Sequence, residues 1–244
     1  KPNDFIALKN NNQRLSVVTA YDVNFARILE EVSIDAILVG DSVANVVWGH
    51  GSTRDIGMNE MILSTAAVAR GALNTHIISD MPYQSDETPA LALENARQLI
   101  AAGAHSVKIE GTKFDQVALL SENNIDVVGH LGLTPQTATS LKQVGKSTDE
   151  AAQMLSDAKK LQELGIIALV LEHIPEALGE IISNALDIPT IGCGAGKKCD
   201  GQVMVLHDML GVHGGKYPPF SKQFADIHTL AKEAFEEYKK WVAE

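Results

Sequence analysis

The chain lacks several features that would point to particular classes of protein. Its 244 residues include only two cysteines, Cys193 and Cys199, too few for the disulfide framework of a small secreted domain. Basic residues are in the minority, and the formal net charge of −11 argues against a surface for nucleic acid or for anionic lipid. No apolar run approaches the roughly 18 residues of a membrane-spanning helix. We therefore expect a soluble, cytoplasmic protein that binds neither nucleic acid nor membrane.

A repeating pattern of short aliphatic runs separated by amphipathic segments organises the chain. Strands that alternate with helices predict a parallel sheet with crossover helices. Eight such units predict an α/β protein with a (β/α)8 TIM barrel, as a single domain over residues 1–244. An open, doubly wound sheet is the alternative, because the eighth run also fits a helix. The predicted strands are 15–20, 34–40, 75–80, 106–110, 127–130, 166–171, 189–192 and 202–206. Helices are predicted after Asp22 and over 58–70, 88–102, 149–164, 175–186 and 220–244, with a frayed segment at 1–13.

Five of these runs end in a side chain that can bind a metal ion or move a proton. They are Asp41, Asp80, Glu110, His130 and Glu172. The carboxyl ends of the strands in a parallel barrel meet at one face, so we expect the five side chains to share one site. Oxygen donors favour Mg²⁺ over Zn²⁺, so Asp41, Asp80 and Glu110 form a candidate Mg²⁺ site. The alternative for each acid is that it caps the following helix or pairs with a nearby lysine.

Lys108, together with Glu172 and His130 of this set, suggests substrate binding and proton transfer. Lys108 lies two residues before Glu110, so in a strand both side chains point to the same face. It can hold an anionic substrate group, or form a structural ion pair. Glu172 follows four apolar residues, and partial desolvation would raise its pKa towards that of a general base. The alternative interpretation of Glu172 is an exposed acid that pairs with His173. The alternative interpretation of His130 is a core residue whose hydrogen bonds are satisfied within the protein.

Two other segments carry weaker signals. The glycine-rich stretch at 192–196 fits either an anion cradle or a tight turn. Cys193 and Cys199 are interpreted as non-catalytic, although two lysines precede Cys199. The polar stretch from the fifth strand to about residue 148 is the longest predicted loop, and its length is typical of a functional lid or a mobile segment.

Short motifs spread over about residues 14–220 occur in the order found in a known family. They are the segments 19–22, 39–42, 80–82, 107–111, 129–136, 171–172, 194–196 and 200–202. The octet Gly-His-Leu-Gly-Leu-Thr-Pro-Gln at 129–136 and the Val-Lys-Ile-Glu-Gly run at 107–111 are the specific ones. On these motifs the chain resembles the ketopantoate hydroxymethyltransferase (3-methyl-2-oxobutanoate hydroxymethyltransferase) family. It departs from the family pattern at Ala44-Asn45, at 141–146 and at Cys193.

The resemblance implies a fold and an activity. The fold is a (β/α)8 barrel of the phosphoenolpyruvate mutase/isocitrate lyase-like type, assembled as a homodecamer. The activity is the transfer of a hydroxymethyl group from 5,10-methylenetetrahydrofolate to 3-methyl-2-oxobutanoate, through an enolate stabilised by Mg²⁺. The products are 2-dehydropantoate and tetrahydrofolate, and the pathway is pantothenate biosynthesis.

The resemblance also implies a role for each candidate residue. Mg²⁺ is bound at Asp41 and Asp80, with Glu110 as a third ligand, directly or through water. Glu172 is the general base, and the substrate contacts come from Asp41, Ser42, Asp80, Lys108 and His130. Two alternatives stay open: a carbon–carbon lyase or mutase of the same superfamily, and a barrel that binds a 2-oxo acid as a sensor or scaffold. Tetrahydrofolate-dependent transfer, retro-aldol cleavage and binding without turnover distinguish the three.

Overall fold

The computed structural model describes residues 4–138, 140, 142–215 and 217–244. Parts of the predicted frayed segment and of the altered segment 141–146 lie outside the described residues, at 1–3 and at 141. Within the described residues, eight parallel strands pair in chain order and β8 pairs with β1, so the barrel closes. The (β/α)8 prediction is confirmed, and the open-sheet alternative is wrong. The strands are β1 (Leu15–Thr19), β2 (Ala36–Val39), β3 (His76–Asp80), β4 (Ser106–Glu110), β5 (Asp126–Gly132), β6 (Ala168–Glu172), β7 (Thr190–Cys193) and β8 (Gly201–Met204).

Some of the helices begin directly after a side chain that caps their first turn. The Asp22 carboxylate accepts from two backbone N–H groups of the first turn of α2, and the Thr88 hydroxyl caps α5 ahead of Pro89. None of the helices in the described ranges is long and apolar enough to cross a membrane. The helices are α1 (Phe5–Asn10), α2 (Val23–Glu31), α3 (Val43–Val46), α4 (Met58–Gly71), α5 (Pro89–Ala101), α6 (Phe114–Glu122), α7 (Thr148–Glu163), α8 (Glu176–Ala185), α9 (Leu206–Met209) and α10 (Ile227–Val242), with a 3₁₀ turn at Thr53–Asp55.

Alternate residues of each strand face two different apolar cores, as the two-residue period of a strand requires. In β2, Ile37 packs in the core between strands and helices, whereas Ala36 and Leu38 pack inside the barrel. In β6, Leu169 faces the outer core and Val170 the inner one. The inner core fills the amino-terminal part of the barrel and leaves the carboxyl ends of the strands to polar side chains.

The structure differs from the sequence prediction at the short helices α3 and α9, which were not predicted, and at three further segments. The predicted frayed N-terminus contains α1, whose Phe5 is 2% exposed and packs 4.6 Å from the His76 ring at the start of β3. The helix α6 was not predicted, although its Val117 and Leu120 are buried at helical spacing. The tail becomes helical only at Ile227, seven residues later than predicted. Because Phe5 packs in the inner core, α1 closes the amino-terminal end of the barrel.

Candidate active site

The strand period places most of the predicted site residues on the inner face of the barrel. Ile78, Val128 and Val170 belong to the inner core, so the residues two positions after them also point inward. These three positions are occupied by Asp80, His130 and Glu172. In β4, Lys108 and Glu110 face inward together, opposite Asp80 and His130 in the strand register. One site therefore collects these side chains, as predicted.

A buried ion pair lies at the centre of this site. The Lys108 ammonium is 3.1 Å from Asp80 Oδ1, and both side chains are almost fully buried. The Asp41 backbone N–H donates to Asp80 Oδ2 at 3.0 Å, which links the ends of β2 and β3. Burial lowers the pKa of Lys108, but the charges of Asp80, Glu110 and Asp41 outweigh this effect and the net shift is upward. Lys108 therefore stays an ammonium group at neutral pH.

His130 lies between this lysine and the predicted base. Its Nδ1 is 3.3 Å from the Lys108 ammonium, and its Nε2 is 3.4 Å from Glu172 Oε2. Burial, aided by the charge of Lys108, lowers the pKa of His130 well below its usual range, so the ring is neutral. Because the ammonium faces Nδ1, the ring hydrogen is assigned to Nε2. The buried Nε2 makes no hydrogen bond to the described residues, which leaves a donor open to a bound molecule.

Glu172 has the electrostatic character of a general base. Burial raises the pKa of its carboxyl group from 4.5 to about 8, and the Lys108 charge only partly opposes this shift. Its side chain is 19% exposed, so a small molecule in the barrel mouth can reach it. Burial likewise raises the pKa of Cys193, with the Glu172 charge adding to the shift. The thiol therefore stays protonated, which agrees with the prediction that Cys193 is not a nucleophile.

The acids of the site outnumber its cations. Burial raises the pKa of Asp41 to about 6, with Asp80 adding to the shift, and raises the pKa of Glu110 to about 7. Four carboxyl groups thus share one buried ammonium group, and they either hold protons or require a further cation. Within the described part of the chain, no three or more His, Cys, Asp or Glu side chains are grouped so that they could hold a metal ion.

A chain of hydroxyl groups holds Ser42, the residue after Asp41. The Tyr21 hydroxyl donates to Thr19 Oγ1 at 2.8 Å and lies 2.8 Å from Ser42 Oγ. The backbone N–H of Leu206 also donates to Thr19 Oγ1, at 2.9 Å. Since the single phenolic hydrogen is directed to Thr19, Ser42 is the donor in its contact with Tyr21. The segment 19–22 was recognised as a motif, but sequence reasoning gave Tyr21 no place in the site.

Gln136 was also missed as a site residue. It belongs to the loop after β5, yet its side chain donates to Asp41 and its backbone N–H to Glu110. Its position at the end of the specific octet was the signal available in the sequence. A cleft of about 580 Å³ lies beside this loop, and Gly111, Gly132 and Met154 are among the residues that line it. Gln136 therefore extends the site past the strand ends, and the cleft lies next to this site without being lined by its acids, Lys108 or His130.

Comparison of the sequence with known proteins gives a family match and close relatives. The family model described as ketopantoate hydroxymethyltransferase matches residues 1–244. A 3-methyl-2-oxobutanoate hydroxymethyltransferase from Clostridium novyi is 42% identical over 98% of this chain and 90% of its own length. One of the same name from Listeria innocua is 43% identical over 100% of this chain and 91% of its own length.

Solved structures resemble this barrel at low sequence identity. A 2,3-dimethylmalate lyase, a member of the PEP mutase/isocitrate lyase superfamily, superposes with a TM-score of 0.63 at 14% identity, covering 98% of this chain and 86% of the lyase. A phosphonopyruvate hydrolase in complex with oxalate and Mg²⁺ gives a TM-score of 0.65 at 12% identity, covering 83% of this chain and 79% of the hydrolase. At such identities the likeness shows the fold type, which agrees with the predicted one.

Proposed function

The chain belongs to the ketopantoate hydroxymethyltransferase family, and on this basis we propose that it transfers a hydroxymethyl group from 5,10-methylenetetrahydrofolate to 3-methyl-2-oxobutanoate. It is an enzyme, a hydroxymethyltransferase. The proposed products are 2-dehydropantoate and tetrahydrofolate, in pantothenate biosynthesis. The observation that carries the proposal is 42% identity to a named 3-methyl-2-oxobutanoate hydroxymethyltransferase over 98% of the chain.

We assign Asp41, Asp80 and Glu110 to a Mg²⁺ site. The excess of carboxyl groups over the Lys108 ammonium supports a divalent cation, although Asp80 Oδ1 already pairs with that ammonium at 3.1 Å. Mg²⁺ commonly takes only one or two carboxylates and keeps several water molecules, so it does not require three grouped acids. A phosphonopyruvate hydrolase of similar fold was solved with oxalate and Mg²⁺. Bound here, Mg²⁺ would polarise the keto group of the substrate and acidify the adjacent C–H bond.

Glu172 is the proposed general base for the first step. It would remove the proton from C3 of 3-methyl-2-oxobutanoate, the carbon beside the keto group. A carboxyl pKa of about 8 makes Glu172 a much stronger base than an exposed glutamate. The base form is the ionised one, so the rate of this step should rise with pH until Glu172 is fully ionised.

Lys108, His130 and Ser42 are the proposed substrate contacts. The Lys108 ammonium would offset the negative charge of the substrate carboxylate, since it is buried and stays charged. The open Nε2–H donor of His130 lies next to Glu172, where it can bond the oxygen of the new hydroxymethyl group. The Ser42 hydroxyl, which donates to Tyr21 in this structure, would redirect its hydrogen to a substrate oxygen.

The second step joins the deprotonated C3 carbon to the one-carbon unit of the folate. A carbon–carbon bond forms, and the bonds from that unit to the two folate nitrogens break. Water adds its hydroxyl group to the same unit, and the protons released from water and from C3 go to the two nitrogens. The donor must therefore reach the barrel mouth from outside. The cleft beside Gly111 and Gly132 supports this step, because these residues lie at the ends of the strands that carry Glu110 and His130.

We also propose a single-domain chain in a cytoplasmic homodecamer. The number of subunits comes from the family resemblance. The helix α10 supports association, since Leu230, Phe235, Tyr238 and Trp241 are all more than half exposed along it. Light scattering measures the assembly directly, and a monomeric mass would refute the decamer.

The first experiment follows deuterium exchange at C3 of 3-methyl-2-oxobutanoate by NMR, with Mg²⁺ and without folate. Exchange that depends on the cation would support both the base and the cation site. No exchange, with or without folate, would contradict them and favour a binding protein. If exchange occurs, addition of 5,10-methylenetetrahydrofolate should yield 2-dehydropantoate, whereas retro-aldol cleavage of another acid would favour the lyase alternative.

A further inference from the structure

Gln136 is buried although it lies in a loop. Only 2% of its surface is exposed. Its side-chain nitrogen donates to Asp41 Oδ2 at 2.9 Å and to the Met81 carbonyl oxygen at 2.9 Å. Its backbone N–H donates to Glu110 Oε2 at 3.2 Å. One residue from the loop after β5 therefore contacts the chain just beyond β2 and β3 and at the end of β4.

These contacts fix the orientation of the Gln136 amide. Both neighbours of its side-chain nitrogen are acceptors, so the NH₂ group must face them and both of its hydrogens are used. A flipped amide would set its oxygen against the Asp41 carboxylate and the Met81 carbonyl group, which is repulsive. The side chain therefore has one favourable arrangement, and it holds one Asp41 oxygen in place.

The three acids of the proposed cation site are restrained in the same manner. An N–H group holds one oxygen of each: the Gln136 side chain for Asp41, the Asp41 backbone for Asp80, and the Gln136 backbone for Glu110. Gln136 thus supplies two of these three N–H contacts, and the Lys108 ammonium also holds Asp80. Groups that hold metal ligands in this way set the ligand orientation and contribute to cation affinity.

We propose that Gln136 is a positioning residue that fixes the carboxylates of Asp41 and Glu110 for the divalent cation. The inference rests on the proposed Mg²⁺ site. Loss of the side-chain amide removes one hydrogen bond to the Asp41 carboxylate and leaves the Met81 carbonyl group without this donor. The backbone contact to Glu110 is then anchored only by the loop itself. Cation binding must in that case order side chains that the native protein holds in advance.

The test measures Mn²⁺ binding to the substrate-free protein by electron paramagnetic resonance. Mn²⁺ is a suitable probe because it takes the same oxygen donors as Mg²⁺. Gln136→Met keeps the length of the side chain and removes its donors, and it should weaken Mn²⁺ binding by about 10- to 100-fold. The matched control is Gln202→Met in β8, where the amide donates to the Gly196 and Gly201 carbonyl oxygens. This control should bind Mn²⁺ as the native protein does.

A second variant and a second readout separate positioning from stability. Gln136→Asn keeps an amide that is too short to reach Asp41, and it should also weaken Mn²⁺ binding. In activity assays, both Gln136 variants should need more Mn²⁺ for half-maximal rate, with a smaller change at saturating Mn²⁺. Thermal melting of the metal-free proteins verifies that they are folded.

Each remaining outcome has a distinct meaning. If the native protein does not bind Mn²⁺, the proposed cation site fails, and this inference fails with it. If the native protein binds Mn²⁺ and folded Gln136→Met binds it equally well, only the inference is refuted. If neither Gln136 variant folds, the residue serves stability, and the positioning role is likewise refuted.

Discussion

Replacement of Glu172 by glutamine is expected to stabilise the metal-free protein at alkaline pH while it abolishes proton exchange at C3. Burial raises the pKa of Glu172 from 4.5 to about 8, more than the Lys108 charge can offset. The folded protein therefore holds this proton more tightly than the unfolded chain does. Stability contributed by the protonated acid is present at low pH and is lost progressively as the pH rises from 4.5 to about 8.

The size of the effect follows from proton linkage. A shift of this size makes ionisation cost about 4 kcal/mol of folding free energy at pH 8, but less than about 1 kcal/mol at pH 5. Glutamine has the shape of the protonated acid and carries no charge, so the variant avoids this cost. Because the Glu172 side chain is 19% exposed, solvent screens part of the charge. We expect a gain of about 1–3 kcal/mol at pH 8 and little change at pH 5.

Urea unfolding in the presence of a chelator, at pH 5 and pH 8, measures the gain. The matched control is Glu180→Gln, whose side chain is 47% exposed and which should change stability little at either pH. The same Glu172→Gln protein should exchange the C3 proton at least about 100-fold more slowly than the native enzyme. A variant that is no more stable than the native protein at pH 8 would refute the assigned burial. A variant that still exchanges the C3 proton would refute the role of Glu172 as the base.

Three other substitutions test separate parts of the molecule. Asp80→Asn should weaken the Mn²⁺-dependent binding of 3-methyl-2-oxobutanoate in calorimetry, and unaltered binding would contradict ligation by this residue. Tyr21→Phe removes the hydroxyl that orients Ser42, so it should raise the KM for the oxo acid about 3- to 10-fold while the urea midpoint stays nearly constant; an unchanged KM would exclude this role. Phe5→Ala should lower the free energy of unfolding by about 3–5 kcal/mol, because the ring is buried. It should leave Mn²⁺ affinity unchanged, because the ring lies at the opposite end of the barrel from the site. A variant as stable as the native protein would show that α1 does not close the amino-terminal end of the barrel.

Local signals in the sequence predicted some elements well and others not at all. The strand 106–110 was predicted at its observed bounds, because its apolar and polar residues alternate cleanly. The helix α6 was missed because the Lys113 side chain does not cap its first turn and Asn123, not glycine, follows it. The helix α1 has six residues, too few to be stable in isolation. It depends on the contact between Phe5 and His76, which lie far apart in the sequence.

The sequence by itself determined which residues end the strands and which of them share the inner face of the barrel. Covalent geometry gives every strand a period of two, so Lys108 and Glu110 had to point the same way. Only the tertiary structure decided the distances, the burial and the loop contacts, because these depend on closure of the barrel and on the register of neighbouring strands. Gln136 reaches Asp41 across 95 positions of the chain, and no local pattern encodes that contact. The basicity of Glu172 also has this origin, since its raised pKa reflects groups that only the folded barrel brings around it.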